Sequence, residues 1–276
     1  MTALAYDPAN TGLLIVDPYN DFISAGGKFW ERVKTVADVN HCVPNMLRTL
    51  QAARQAKIRV FYALHHRYRS GDYSTWKTIA PVQARTVRSR AFEEGTWGGR
   101  VRDEFAPLPG DVVALEHWCS SGFYNTDLDL QLQRHGIQRL LVIGNRANTC
   151  IESTVRSAAE LGYDVTLVKD AVASYSAEEM QAALEINIPN YASAIVTTDE
   201  IIGSISEPSP MRRPSQPLDR PGDQYGRAYH RRFELQCHHQ RAVRGHRLTS
   251  VVLQPAGRRV SRLLTSSRRG GFHHRA

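Results

Sequence analysis

The chain of 276 residues carries 35 Lys plus Arg against 27 Asp plus Glu, a formal net charge of +8. Spread evenly, that charge would suit a nucleic-acid partner, but fifteen Arg, no Lys and three acids (Asp219, Asp223 and Glu234) lie beyond Glu207, and the rest of the chain is mildly acidic. Four cysteines (Cys42, Cys119, Cys150 and Cys237) with no CxxC spacing exclude a disulfide framework and a zinc site of that kind; with no signal-like start and no membrane-length apolar run, the expected setting is the reducing cytoplasm, with no membrane partner.

Short apolar runs alternate with helical patterns from Leu13 to Thr198, the grammar of βαβ units. Residues 13–17 (LLIVD) form the first expected strand, ending in the carboxylate of Asp17. A helix follows over 39–56, with Val43, Leu47, Leu50 and Arg54 at helical spacing and Pro44 in its first turns, where a missing N–H costs little. Residues 58–64 (IRVFYAL) are strand two and deliver His65 and His66 to its carboxyl end. The segment 67–109 is weakly patterned, with Tyr68, Tyr73, Trp76 and Trp97. A connection of that length in a compact domain is expected to be functional or partly helical, as a lid or an oligomer contact. Strand three is 111–116, and a helix opens at Thr126-Asp127-Leu128-Asp129 with an acidic first turn and ends at Gly136.

The remaining elements are a strand over 139–143, a tight turn over 144–149, a helix over 150–161, a strand over 164–168, a helix over about 176–187 and a strand over 193–198. Together they predict an α/β fold, a three-layer α/β/α sandwich around a six-stranded, mainly parallel Rossmann-like sheet, in a domain spanning residues 1–207. Residues 208–276 break the pattern: they are rich in Arg, His, Pro and Gly, with only the short apolar run 251–253. Such a composition cannot offset chain entropy. The tail therefore reads as disordered, with the residue bias of GC-rich DNA translated out of frame rather than that of a nucleic-acid or membrane arm.

In an open parallel sheet, ligands bind beyond the carboxyl ends of the strands. That end receives Asp17, His65, His66, Glu116, His117 and Cys150. Cys150 stands where a turn becomes a helix, and there unpaired N–H groups and the positive end of the macrodipole favour a thiolate and can hold an oxyanion. A carboxylate able to take the thiol proton, a cationic or hydrogen-bonding group and that thiol suffice for nucleophilic catalysis.

Four stretches carry a resemblance: IVDPYNDF (15–22), SSGFYNTDLDLQLQRHGI (120–137), VIGNRANTCIESTVRSAAELGYDVTLVKDA (142–171) and YASAIVTTDEII (191–202). The chain from Gly12 to Ile202 resembles the isochorismatase-like cysteine hydrolases, which include nicotinamidases, N-carbamoylsarcosine amidohydrolase and ureidoacrylate amidohydrolase. The resemblance implies that Asp17 is the general base and Cys150 the nucleophile of a thioester mechanism acting on a C–N bond. It also implies an oxyanion hole from the backbone N–H groups of Arg146 and Cys150, with a cis peptide at Asn145–Arg146. The family's third catalytic residue, a Lys on or after strand three, is missing, since no Lys stands between Lys77 and Lys169. An ungapped count from Phe123 puts His117 at that position, and a longer loop would put Leu115 or Glu116 there; His117 is the expected stand-in, as an imidazolium can stabilise a thiolate.

Phe22, His66, Trp76 and Phe123 are the expected substrate contacts. Nicotinamidases bind a divalent ion through an Asp-x-His element whose Asp position is Leu64 here, so neither a metal nor another cofactor is expected. The implied partner is a small amide or ureide, not nucleic acid, and the implied assembly is a homodimer or homotetramer with the 67–109 segment at an interface. Two rival readings stand beside this one. One is vinyl-ether hydrolysis of the isochorismatase type, which needs the Asp but no Cys nucleophile. The other is a catalytically impaired binding or scaffold member, motivated by the missing Lys.

Overall fold

The computed structural model describes residues 6–206, so the tail expectation and the domain boundary at 207 lie outside the described residues. Six parallel strands run β1 (Thr11–Val16), β2 (Arg59–Ala63), β3 (Val112–Val113), β4 (Arg139–Asn145), β5 (Asp164–Ala173) and β6 (Ala194–Val196), side by side in the order β3-β2-β1-β4-β5-β6. The chain steps outward from β1 in one direction and then, from β4, in the other. The reversal leaves a crevice at the carboxyl ends of β1 and β4, where such sheets bind ligands.

Side-chain alternation along the strands sorts the core into two layers. On one face Leu13, Ile15, Val60, Tyr62, Leu141 and Ile143 pack under helices α2 (Trp30–Val39), α3 (Cys42–Gln55) and α8 (Thr198–Ser206). On the other, Leu14, Val16, Phe61, Ala63, Leu140 and Val142 pack under α5 (Leu128–Arg134) and α6 (Glu152–Glu160), and Cys150 belongs to this second layer. The fold is the expected α/β/α sandwich, and its sheet is parallel throughout.

Three differences from the sequence expectation have identifiable causes. Helices α1 (Asn20–Ile23) and α2 fill a stretch for which no element was expected, because α2 buries only Val33 and Ala37 and shows a thin apolar stripe. Strand β3 is two residues long because the chain leaves the ladder at Leu115, whose N–H donates to Asp127 Oδ1 (2.7 Å), and rejoins it at His117, whose N–H donates to the Leu64 carbonyl (2.9 Å). The expected helix over 150–161 begins instead with a wide π turn, Ala147–Ile151, before α6 takes over. Within the 67–109 segment, α4 (Pro81–Ser89) starts on Pro81, with Gln83 Oε1 accepting the Ala80 N–H (2.8 Å).

Candidate active site

Asp17 follows β1 directly and is fully buried, with φ at 53°, in the left-handed region that L residues other than Asn, Asp and Gly rarely enter. The turn aims its carboxylate across the strand ends, where Oδ1 accepts the His65 N–H at 2.6 Å. Neighbouring β4 comes close enough for the two elements to meet only because Gly144 has no side chain. A Cβ there would stand 2.0 Å from the Val16 carbonyl oxygen, and its φ of 125° suits glycine alone. Beyond Gly144 the Asn145–Arg146 peptide is cis, as the resemblance implied, and the π turn then presents Cys150.

His117 arrives from the far side, held in register by an isolated bridge to His65. The Cys150 Sγ, an Asp17 carboxylate oxygen and a His117 ring nitrogen all lie within 4.8 Å of one another, and all three residues are buried. His117 Nε2 is 3.2 Å from Asp17 Oδ1 without making a hydrogen bond, and both Nε2 and Asp17 Oδ2 are buried with no hydrogen-bond partner. Nδ1 of the same ring stands 3.2 Å from the Cys119 carbonyl oxygen. Both ring nitrogens thus face oxygen atoms, Nδ1 within hydrogen-bond reach of one and Nε2 beside the other without a hydrogen bond. Among the described residues the same three donor atoms are spaced to hold a metal ion.

The electrostatics correct one expectation. Burial, reinforced by the adjacent Asp17 charge, pushes the Cys150 thiol well above its ordinary range, so the resting group is a thiol and not a helix-stabilised thiolate. Cys150 sits inside a π turn rather than at the clean start of a helix, and the nearby carboxylate opposes the negative charge that a helix terminus would favour. His65 is pushed down to about 4, by burial first and by the His117 charge second. Its Nδ1 is 2.8 Å from the His66 carbonyl, to which a neutral ring donates.

A pocket of about 380 Å³ opens over Cys150, walled by Phe22, Phe29, His65, Phe92 and Tyr175. Of the expected contact residues, Phe22 is on this wall, and the structure does not bring the other three to it. His66 is turned away, with Nδ1 3.2 Å from Glu116 and Nε2 2.9 Å from Asp72, and its ring is stacked on Trp118 at 3.7 Å. Those carboxylates occupy both nitrogens, so the ring offers nothing to a substrate or metal. Trp76 lies in a separate depression with Trp118 and Tyr124, while Phe123 is core, its ring 5.8 Å from Tyr163. Glu116, an alternative for the Lys position, is committed to Arg67 at 2.6 Å as well as to His66.

Sequence reasoning brought His65 and His66 together to the strand end but chose His66 as the substrate contact, although a signal for His65 existed. Phe61 and Ala63 belong to the layer that holds Cys150, and Val60 and Tyr62 to the other, so continued alternation turns His65 toward the thiol and His66 away. It also passed over α4, whose Val82, Arg85, Thr86 and Arg88 form one side of the pocket.

Comparison with known proteins points to one family. The isochorismatase domain model matches residues 11–200. The chain is 31% identical over 199 residues to ureidoacrylate amidohydrolase RutB of Pantoea ananatis, covering 68% of this chain and 79% of that protein. A cysteine hydrolase from Pseudomonas syringae pv. phaseolicola 1448A superposes with a TM-score of 0.62 at 26% identity, covering 73% of this chain and 95% of its own. N-carbamoylsarcosine amidase from Thermoplasma acidophilum follows with a TM-score of 0.51 at 25% identity, covering 69% of this chain and 97% of its own. Among the described residues no helix is long and apolar enough to cross a membrane. With the family model spanning the whole sheet and the crevice holding Asp17, His117 and Cys150, the chain belongs to the isochorismatase family of hydrolases.

Proposed function

We propose that this enzyme hydrolyses a C–N bond of a small amide or ureide through a thioester on Cys150. The supporting observation is the buried cluster of Asp17, His117 and Cys150 at the mouth of an open pocket. Asp17 Oδ1 is engaged by the His65 N–H and by His117, which leaves Oδ2, buried and without a hydrogen-bond partner, to take the thiol proton. Because the resting thiol holds its proton, transfer accompanies attack: sulfur adds to the carbonyl carbon as its proton passes to Asp17. The backbone N–H groups of Arg146 and Cys150 receive the oxyanion. Asp17 then returns the proton to the departing amine, and water hydrolyses the thioester.

In this scheme the imidazolium of His117 replaces the family's ammonium, balancing the Asp17 charge and then the developing negative charge on sulfur. Cys150→Ala is expected to abolish amide and ureide turnover, and intact-mass spectrometry of the unaltered enzyme with a slow substrate should trap an acyl adduct on Cys150. Amide or ureide turnover surviving in Cys150→Ala would overturn the thioester mechanism, whereas turnover of a vinyl ether with none of amides or ureides would favour the isochorismatase-type reaction, in which Asp17 protonates the substrate.

A further inference from the structure

Asp17 Oδ2 and His117 Nε2 are buried atoms without a hydrogen bond, on side chains that are themselves fully buried. A buried polar atom without a partner is costly unless something else satisfies it. Here two such atoms belong to one cluster with the Cys150 thiol, whose donor atoms lie within 4.8 Å of one another.

The spacing within the cluster is that of ligands sharing one ion. Asp17 Oδ1 and His117 Nε2 stand 3.2 Å apart without a hydrogen bond. Oxygen and nitrogen ligands at about 2.0 Å from a tetrahedral zinc ion are about 3.3 Å from each other, so this pair matches two corners of one coordination shell. The Cys150 sulfur supplies a third corner. His117 Nδ1 is 3.2 Å from the Cys119 carbonyl oxygen. A ring that donates Nδ1–H there turns its Nε2 lone pair toward the cluster, the support that zinc-ligating histidines draw from a backbone carbonyl. Cys150 also lines the pocket of about 380 Å³, which gives an ion a way in and leaves the fourth corner to water.

A lysine ammonium, which the family resemblance implied at this position, has no lone pair to offer, whereas an imidazole has one. Thiolate and imidazole with a single carboxylate suit a borderline-soft ion of the zinc class rather than magnesium or calcium. This cluster is also distinct from the Asp-x-His element of nicotinamidases: Leu64 has no donor, and His66 is engaged by Glu116 and Asp72.

We propose that Asp17, His117 and Cys150 bind a zinc-class divalent cation, and that the bound ion silences the thiol. The ion is an inhibitory ligand, not a cofactor of the reaction. As the metal–sulfur and metal–nitrogen bonds form, the S–H proton and the Nε2 proton of the imidazolium leave to solvent. One divalent cation then replaces two protons, and the net charge of the buried cluster is unchanged. A sulfur lone pair committed to the metal cannot attack a carbonyl, and removing the ion restores it. The silencing rests on the thioester reading above; the site itself can be tested without turnover.

The test follows iodoacetamide alkylation of Cys150 and of the partly exposed Cys119 by peptide mass spectrometry, in full-length protein stripped of metal and then given Zn²⁺ alone. Reading the sulfur itself keeps the result apart from any zinc taken up by Cys237 or by histidines beyond residue 207. Saturating Zn²⁺ is expected to slow alkylation of Cys150 about tenfold or more, with little change at Cys119, and a chelator should restore the rate. In His117→Lys the protection should fall to that at Cys119. Co²⁺ gives a second readout that needs no reagent to reach the sulfur. The near-ultraviolet thiolate-to-cobalt band of the full-length protein should lose intensity in Cys150→Ser and in His117→Lys. Protection at Cys150 no greater than at Cys119, protection that persists in His117→Lys, or cobalt spectra that superimpose across the three proteins overturns the proposal. A chain that binds the ion and hydrolyses no amide or ureide would keep the site and lose the proposed reaction.

Discussion

His117 stands where the family resemblance implied a lysine, and its surroundings bear on what it can do. Its Nε2 lies 3.2 Å from Asp17 Oδ1 and its Nδ1 faces the Cys119 carbonyl, and a ring nitrogen lies within 4.8 Å of the Cys150 sulfur, so the proposed mechanism gives it the place beside base and nucleophile. His117→Ala is expected to lower kcat/KM on the order of 10²–10³-fold, the usual loss when a stabilising charge or donor is removed. His117→Lys should recover much of it, measured as initial rates on the same amide or ureide. Equal activity in the Ala variant would remove His117 from the mechanism.

Two other histidines give opposite pH signatures. His65 is held at about 4 by burial and the His117 charge, below its ordinary value of roughly 6.5. The folded state therefore resists binding a proton that the unfolded chain takes up, and this stabilisation is complete above roughly pH 6.5 and disappears as pH falls toward 4. For His66, burial works against the charge, but hydrogen bonds to Glu116 and Asp72 outweigh it and raise its pKa. Its contribution is complete below roughly pH 6.5 and is lost as pH rises through the raised value. The Tm deficit of His66→Gln should accordingly shrink between about pH 6 and about pH 9 in thermal melts; a deficit that grows would contradict the ion pairs. Glu116, where burial is outweighed by hydrogen bonds from His66 and Arg67, sits at about 2, so its share persists until pH falls below roughly 4.5.

At the scale of elements, the site depends on where β1 and β4 approach each other and on how the loop carrying Phe92 is tied down. Gly144→Ala would drive a Cβ to 2.0 Å from the Val16 carbonyl oxygen at a φ of 125°. It is expected to cost more than about 4 kcal/mol, or to prevent folding, by denaturant titration. Asp21 holds the loop, with Oδ1 accepting the Lys28 N–H at 3.0 Å and Oδ2 the Phe92 N–H at 2.9 Å. Asp21→Ala leaves two N–H groups without their acceptor, a loss of about 3 kcal/mol. It should also raise KM through the displaced Phe92 wall, whereas an unchanged KM would separate the loop from substrate binding. The strands and the Cys-bearing turn were legible as elements because period-two runs and a glycine are local signals. Helix α4 was not: its apolar stripe is thin, and its arginines look like an ordinary solvated face until the pocket shows what they line.

At the scale of the molecule, the described residues, 6–206, hold a six-stranded sheet with a core layer on each face. A chain ending at Ser206 is expected to melt within a few degrees of the full-length protein, because that sheet and its two layers already bury an extensive apolar core. A large drop in Tm would give residues 207–276 a structural part.

The sequence by itself determined the α/β/α architecture, the family resemblance and the pairing of Asp17 with Cys150. Those features rest on short-range periodicity and on motifs whose residues are neighbours in the chain. Only the tertiary structure decided the rest: His65 rather than His66 lines the pocket over the thiol, burial keeps that thiol protonated, and arginines from α2 and α4 line the same pocket. The orientation of a side chain past the end of a strand, the desolvation of a buried thiol and the convergence of distant helices all depend on what is packed nearby. That is a property of three-dimensional neighbours, and no spacing along the chain encodes it.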